Sequence, residues 1–444
     1  MKKNKKIWIG FLAVISLLII LPFFIPVRSF LNQAEQMSSK QLGVPVTIAD
    51  GHLNFLPTPR VVITDIQVGN QQDINISRVV VVPTLASLFS STKVIEIKIT
   101  ELALKKAATD FLLELTANKK NAADTVTAVN VNKITIQKLQ LDWPKLKLPT
   151  LSLVLNLGAN NQLDSAQVNT LDGKVVADVK SEGAEHVLVM NVDQFKWPIG
   201  LPLFIDKARL DMRLKNNALD ISNIDITMYD GKINGKAHLL WDKNWRMNGD
   251  LKVSQLSVQQ PSRLVSQKIY LSGALNSQGK FSANAKNASA LADNLRADFK
   301  FSVSNGVLHG LDLVKVASLM TKQSSGGQTQ FDQFSGLLQV TGKQYHLQDL
   351  KISSGLLVSD GQVKIKPNKE LDGTAVVELK NSASLVGIPL DIDGTVSDPL
   401  VMPSKAAMAG AVAGTAILGP GLGTSLGMKA GTAVEKFKGL FDGE

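Results

Sequence analysis

IEIKIT, residues 95–100, alternates apolar and polar side chains at every position. Because successive side chains of a β-strand point to opposite faces of a sheet, this period of two predicts a strand with one apolar and one polar face. The pattern returns at ITIQ, residues 134–137, and at LSLVLNL, residues 151–157. The residues on the apolar side of these strands are Ile95, Ile97, Ile99, Ile134, Ile136, Leu151, Leu153, Leu155 and Leu157. The chain is therefore predicted to be mainly β.

Short turn motifs separate the alternating stretches and recur along the chain. NNQLD, residues 160–164, runs on to Asp172-Gly173; NNALD, residues 216–220, runs on to Asp230-Gly231; and a weaker copy runs on to Asp360-Gly361. Asp-Gly between alternating segments favours a two-residue hairpin turn, because both positions tolerate positive φ. The repetition predicts an antiparallel sheet built from repeated hairpins, with a few short helices.

Two architectures fit this pattern. An open sheet would leave the alternating aliphatic side chains as an exposed apolar strip, larger than the few hundred Å² that soluble monomers normally expose. A sandwich would bury the same side chains in a dry core between two sheets.

An uncharged apolar run of 21 residues, Ile7 to Val27, lies near the N-terminus. About 20 such residues cross a bilayer as a helix. Four lysines precede the run and Arg28 follows it, so we expect the N-terminus in the cytoplasm and the bulk of the chain outside. A signal-peptide core is shorter, about 7–15 residues, and ends in a small-residue cleavage site that this run lacks. We therefore expect an uncleaved, single-pass anchor.

Composition divides the chain further and excludes several classes of function. The predicted segments are 1–28 (cytoplasmic flank and anchor), 29–120 (N-terminal β region), 121–300 (repeated hairpins), 301–403 (C-terminal β region) and 404–444 (Gly/Ala-rich tail). The absence of cysteine excludes disulfides and thiolate chemistry, and the five histidines show no metal-ligand spacing. We expect no catalytic residue, metal or cofactor. Half of the net charge of +10 flanks the anchor and the rest is dispersed, so we expect no nucleic-acid partner.

The tail carries regularly spaced glycines. They include Gly410, Gly414, Gly423, Gly427 and Gly431. On a helix this spacing permits close helix packing of the small-xxx-small type; a flexible tail is the equal alternative. Residues 423–427 also match the G-x-S-x-G pattern of a hydrolase, but no histidine follows Ser425 to complete a triad.

The chain also resembles the AsmA family over nearly its full length. The N-terminal resemblance comprises the anchor, 42–48 (LGVPVTI), 55–59 (FLPTP), 65–68 (DIQV), 85–89 (LASLF) and 94–104. The stronger C-terminal resemblance comprises 305–313 (NGVLHGLDL), 331–336, 347–350 (LQDL), 387–390 (GIPL) and 394–399 (GTVSDP).

This resemblance implies a bacterial inner-membrane anchor and an elongated periplasmic sheet curled into a groove, related to the bridge-like lipid-transfer proteins. The implied function is to bind or conduct phospholipid acyl chains, with the nine aliphatic residues above as groove candidates and membrane lipids and other envelope proteins as partners. The alternative is a non-catalytic factor for outer-membrane protein assembly. An anchored periplasmic hydrolase is a distant third.

Overall fold

The computed structural model describes residues 27–409 apart from 57, 85–86, 88–89, 91–92, 109–110, 112–128, 145, 159–160, 320–325 and 381–386. The fold is mainly β, with 21 strands assigned to one sheet and few helices. Contacts divide the chain into a first unit, Met1–Val192, and a second unit, Asp193–Glu444. The predicted division into five segments stays a prediction.

The strands of the first unit are β1 (Val46–Asn54), β2 (Arg60–Val68), β3 (Ile74–Pro83), β4 (Lys93–Lys105), β5 (Val129–Asp142), β6 (Leu151–Leu157), β7 (Leu163–Thr170), β8 (Val175–Glu182) and β9 (Glu185–Lys196), the last of which ends in the second unit. Those of the second unit are β10 (Phe204–Lys215), β11 (Ala218–Met228), β12 (Gly231–Trp241), β13 (Trp245–Ser257), β14 (Tyr270–Ala285), β15 (Arg296–His309), β16 (Gln328–Thr341), β17 (Gln344–Ser353), β18 (Leu357–Ile365), β19 (Leu371–Leu379), β20 (Ile388–Thr395) and β21 (Asp398–Pro403). The helices of the described residues include α1 (Val27–Leu42), α2 (Gln259–Val265) and α3 (Leu313–Leu319), and 3-10 turns cover Ala288–Ala290 and Ala292–Asn294.

Within each unit, strands that follow one another in the chain are hydrogen-bonded neighbours, which confirms the hairpin-based antiparallel prediction. The exception is the parallel pair β4–β5. A parallel pair needs a connection that returns the chain to the end where the first strand began.

Two predicted turns differ in detail from the structure. Between β11 and β12 the residues with positive φ are Tyr229 and Asp230 (46° and 63°), one position before the predicted pair. Gly231 is the first residue of β12, and glycine is required there because a Cβ would collide with the backbone of Leu256. The hairpin predicted at Asp360-Gly361 is wrong, since both residues lie inside β18 and pair with β17 and β19.

The outer edge of the first unit is covered by α1. Ser39 Oγ accepts a hydrogen bond from the Val46 amide at 2.9 Å, and Glu35 Oε1 accepts one from the Ile48 amide at 2.6 Å. These amides belong to β1, the first strand, and would otherwise be unpaired. The helix therefore occupies two of the donors with which a further strand could pair at the start of β1.

The last strand of the second unit, β21, is protected by proline. The amide of Ser404 donates to the carbonyl oxygen of Pro389 in β20 at 2.9 Å, so alternate positions 399, 401 and 403 direct their backbone nitrogens away from β20. Pro399 and Pro403 occupy two of these three positions and have no N–H to donate. This edge offers little to an added strand.

The predicted anchor lies outside the described residues except for Val27, and no helix of the described part is long and apolar enough to cross a membrane. The predicted curl of the sheet is not confirmed. Alternation of apolar residues specifies which face each residue occupies, whereas curvature depends on twist and on bulges such as the one between Asp211 and Met212, which a period of two does not encode.

Candidate functional site

Residues that face each other across neighbouring strands form apolar rows in the first unit. From β1 to β9, one row comprises Leu53, Val61, Val81, Ile97, Ile134, Leu155, Ala166, Val179 and Leu188. A parallel row comprises Gly51, Ile63, Val79, Ile99, Ile136, Leu153, Val168, Ala177 and Met190. We call these two rows the apolar face of the first unit.

The structure places the predicted groove residues next to one another on this face. Ile97, Ile134 and Leu155 are direct neighbours in the first row. Ile99, Ile136 and Leu153 are direct neighbours in the second row. The remaining candidates each face another aliphatic residue or proline: Ile95 faces Pro83 and Val131, Leu151 faces Leu139, and Leu157 faces Leu163.

These side chains are covered mainly by their neighbours in the sheet. Ile136 is buried, and the other eight candidates are half-buried. Within the described residues of the first unit, the helix α1 packs against the sheet, and it does so at β1. Most of these side chains around β4 to β6 therefore keep some apolar area uncovered by the described residues of the first unit.

The second unit has a longer apolar row, which sequence reasoning did not single out. From β10 to β21 it comprises Leu210, Ile224, Gly235, Leu251, Gly279, Phe299, Leu338, Leu347, Val363, Gly373, Ile392 and Val401. We call this row and its apolar neighbours the apolar face of the second unit. The sequence feature that could have predicted this row is the alternation within single strands, for example Phe299 and Phe301 in β15.

Glycines on this face, in the long row and in the row beside it, make room for aromatic rings of the next strand. A Cβ at Gly279 would collide with the carbonyl oxygen of Asp298 and with the Phe299 ring, and one at Gly249 would collide with the Phe281 ring. Each ring therefore lies across the glycine beside it, and the apolar surface continues over a position that has no side chain.

One end of this face is closed by α3. Val316 and Ala317 of α3 are 0% and 1% exposed and pack against Leu357, Val377 and Leu390 of β18, β19 and β20. Lys268, beside β14, pairs with Asp398 of β21 at 2.8 Å at the same end. The residues of the long row between β10 and β17 remain half-buried, so the open part of the face lies on these strands.

The opposite face of the second unit is polar. One of its rows comprises Lys236, Asp250, Lys280, Asp298, Gln339, His346, Lys364 and Asp372. Opposite charges alternate along its first four positions, which favours this register. A cleft of about 830 Å³ on this face is lined by the first four of these residues, among others. The sheet of this unit is therefore amphipathic.

The shifted carboxyl pKa values of the polar faces come mostly from neighbouring partners. A hydrogen bond from Lys138 holds the pKa of Glu101 below its usual value, and one from Arg209 does the same for Asp211. Glu101 is exposed and Asp211 is half-buried at the surface, where ion pairs contribute little to stability. They are typical of a solvated strand face.

Two of the five histidines lie within hydrogen-bond distance of a serine hydroxyl. His309 Nε2 lies 3.0 Å from Ser272 Oγ, and His186 Nδ1 lies 2.9 Å from Ser181 Oγ. Neither histidine has a carboxylate bonded to it in the part of the chain that the structure describes, and no group of metal-ligating residues occurs there. The tail glycines 410–431 and the G-x-S-x-G motif lie outside the described residues.

A comparison with models of known protein families finds a match at the centre of the chain. Residues 178–342, from β8 to the end of β16, match the model of the AsmA family. This region, which we call the AsmA region, is similar to the AsmA family. The match confirms the resemblance over these residues, which include the segments 305–313 and 331–336 that carried part of it. The AsmA region spans most of the open apolar face of the second unit. Among curated proteins, none is similar enough to match the chain.

One carboxyl group of the second unit predicts a pH-dependent effect on stability. Burial, and next the nearby Asp393 carboxylate, raise the pKa of Asp391 above its ordinary value of 3.8, while Lys405 lowers it. The native state therefore binds this proton more tightly than the unfolded state, so the ionised group destabilises the fold above its native pKa. We expect Asp391→Asn to raise the free energy of unfolding at pH 7 and to have no such effect below pH 3.8. Urea unfolding of both proteins at pH 7 and pH 3 measures this, and equal differences at both values would contradict it.

Proposed function

We propose that the chain is an inner-membrane-anchored periplasmic protein that binds or conducts phospholipid acyl chains on its apolar faces and so contributes to outer-membrane lipid homeostasis. The observation that carries the proposal is the continuity of the apolar rows over neighbouring strands, with mostly half-buried side chains around β4–β6 and β10–β17 in the described residues. The AsmA region fits an envelope role. We propose no catalytic activity.

The free energy expected from covering an acyl chain is large enough to retain a lipid. Each buried CH₂ group contributes roughly 0.8 kcal/mol, so a chain of about 16 carbons that is half covered gains roughly 6 kcal/mol. This corresponds to a dissociation constant between about 1 μM and 1 mM, and a second acyl chain on the same lipid tightens it. The headgroup stays in water, so the surface needs no dedicated polar pocket.

The hydrogen bonding at the sheet edges favours lipid binding over the alternative function in outer-membrane protein assembly. A factor that holds unfolded outer-membrane strands would use free backbone edges, as in β-strand addition. Here α1 occupies the edge of β1, and Pro399 and Pro403 remove donors from the edge of β21. Most side chains of the apolar rows around β4–β6 and β10–β17, in contrast, keep exposed area among the described residues.

Mass spectrometry of lipids that co-purify with the full chain tests the proposal. We expect at least one phospholipid per protein after detergent purification. Residues 1–42, purified in the same way, measure the lipid carried by the predicted anchor alone. If the full chain carries no more lipid than this control and instead retains outer-membrane polypeptides, the assembly role replaces the lipid role.

A further inference from the structure

The connection between β9 and β10 exposes large apolar side chains. Trp197, Ile199, Leu201 and Phe204 are 44%, 47%, 43% and 40% exposed. No charged residue lies between Lys196 and Asp206. The loop has a fixed shape, because the amide of Trp197 donates to the carbonyl oxygen of Leu203 at 2.8 Å and two prolines restrict the backbone.

The helix α2 exposes two more apolar side chains. Leu264 and Val265 are 41% and 50% exposed, and no residue of α2 is buried. Ser262 Oγ donates to the carbonyl oxygen of Leu271 at 2.8 Å and so attaches the helix to β14. The attachment uses a polar contact and leaves the aliphatic side chains in solvent.

Both segments lie at the same end of the strands. The β9–β10, β11–β12 and β13–β14 connections alternate with the turns at the opposite end, because each strand runs antiparallel to the next. The amide of Phe204 donates to the Tyr229 hydroxyl at 2.9 Å, and Leu203 packs in one cluster with Val258, which precedes α2. The turn at the opposite end, residues 242–244, is Asp-Lys-Asn.

We propose that these six side chains, which we call the docking rim, insert into the surface of a lipid bilayer. The docking rim comprises Trp197, Ile199, Leu201, Phe204, Leu264 and Val265. Six of the fifteen large apolar side chains exposed in the described chain belong to it. Such concentration marks an interaction surface, whereas scattered exposed apolar residues need no explanation.

The size and composition of the rim select a lipid surface over a protein. At roughly 200 Å² per large side chain and the exposures above, the rim offers about 500 Å², below the roughly 800 Å² that each partner of a standard protein interface buries. Tryptophan and aliphatic side chains flanked by cations are typical of interfacial membrane segments. Lys196 adjoins the loop, and Arg263 lies on α2, 4.5 Å from the Tyr270 ring centre, so anionic headgroups suit the rim.

Insertion of the docking rim into a bilayer is separate from acyl binding on the apolar faces and does not require it. If both hold, the rim brings the strand ends of β9 to β14 to the membrane, where an acyl chain could pass onto the apolar face of the second unit.

Site-specific fluorescence on the full chain tests the rim. The chain has no cysteine, so single variants Ile199→Cys and Leu201→Cys can each carry the environment-sensitive dye NBD. Lys243→Cys, in the turn at the opposite end, is the matched control on an equally tethered protein. The proteins are reconstituted in vesicles of phosphatidylethanolamine and phosphatidylglycerol, 3:1, with or without a doxyl-labelled quencher lipid.

We expect the quencher lipid to lower NBD emission at 199 and 201 by at least half and at 243 by less than a tenth. Equal responses at all three positions would overturn the proposal. Emission at 199 and 201 that changes with protein concentration in detergent, without quenching by lipid, would overturn it in favour of a second copy of the chain.

Discussion

Replacing Leu153 and Leu155 together by aspartate is expected to remove most of the phospholipid that co-purifies with the full chain. The two side chains occupy adjacent apolar rows beside Ile136 and Ile134. Two carboxylates there would place charge against any acyl chain that crosses β6, and an ionised group without a partner is strongly disfavoured in apolar surroundings. We expect at least a fivefold loss of bound lipid above the 1–42 background, measured by mass spectrometry.

Val154→Asp is the matched control for this variant. Val154 lies between the two leucines but faces the polar side, where its neighbours are Thr135 and Gln167. We expect this variant to retain its lipid and the strand content of the original chain by circular dichroism. Equal lipid loss from both variants, with both still folded, would show that the apolar face is not the lipid-binding surface.

The second prediction with a large expected effect concerns the stability of the second unit. Leu357→Ala is expected to lower the free energy of unfolding of the second unit by about 2–5 kcal/mol, because it leaves a cavity in a closed core. Leu357 is 0% exposed and packs in the cluster that α3 covers. Urea unfolding followed by circular dichroism measures the change.

The neighbouring leucine is the control for this prediction. Leu356 is 59% exposed, so Leu356→Ala should change the free energy of unfolding by no more than about 0.5 kcal/mol. If the two variants were equally stable, α3 would not close a core at this end of the sheet.

Strand periodicity predicts much of the candidate site because a period of two assigns each residue to a face. Ile97, Ile134 and Leu155 were grouped from alternation alone, and the strand pairing makes them neighbours in one row. Register follows from the same pattern, since a slip of one residue would turn every apolar side chain to the polar face. Local pattern and long-range pairing agree here.

Features that depend on contacts distant in sequence are not predictable in this way. The row through Gly279 and Phe299 was missed because glycine interrupts an apolar pattern, although the neighbouring ring covers the gap. The closure of β18–β21 by α3 and the pairing of Lys268 with Asp398 join residues far apart in the chain. At Tyr229-Asp230 the turn lies one position earlier than predicted, and Gly231 lies close to the backbone of Leu256 in β13, a contact between residues that are far apart in the sequence.

Photo-crosslinking in living cells tests the central claim most directly. A benzophenone amino acid is placed at position 155, on the apolar face, or at position 154, on the polar face of the same strand, in the full chain. We predict an ultraviolet-dependent phospholipid adduct at position 155 and none at position 154. Equal lipid labelling at both positions, or adducts at position 155 with polypeptide alone, would contradict the account.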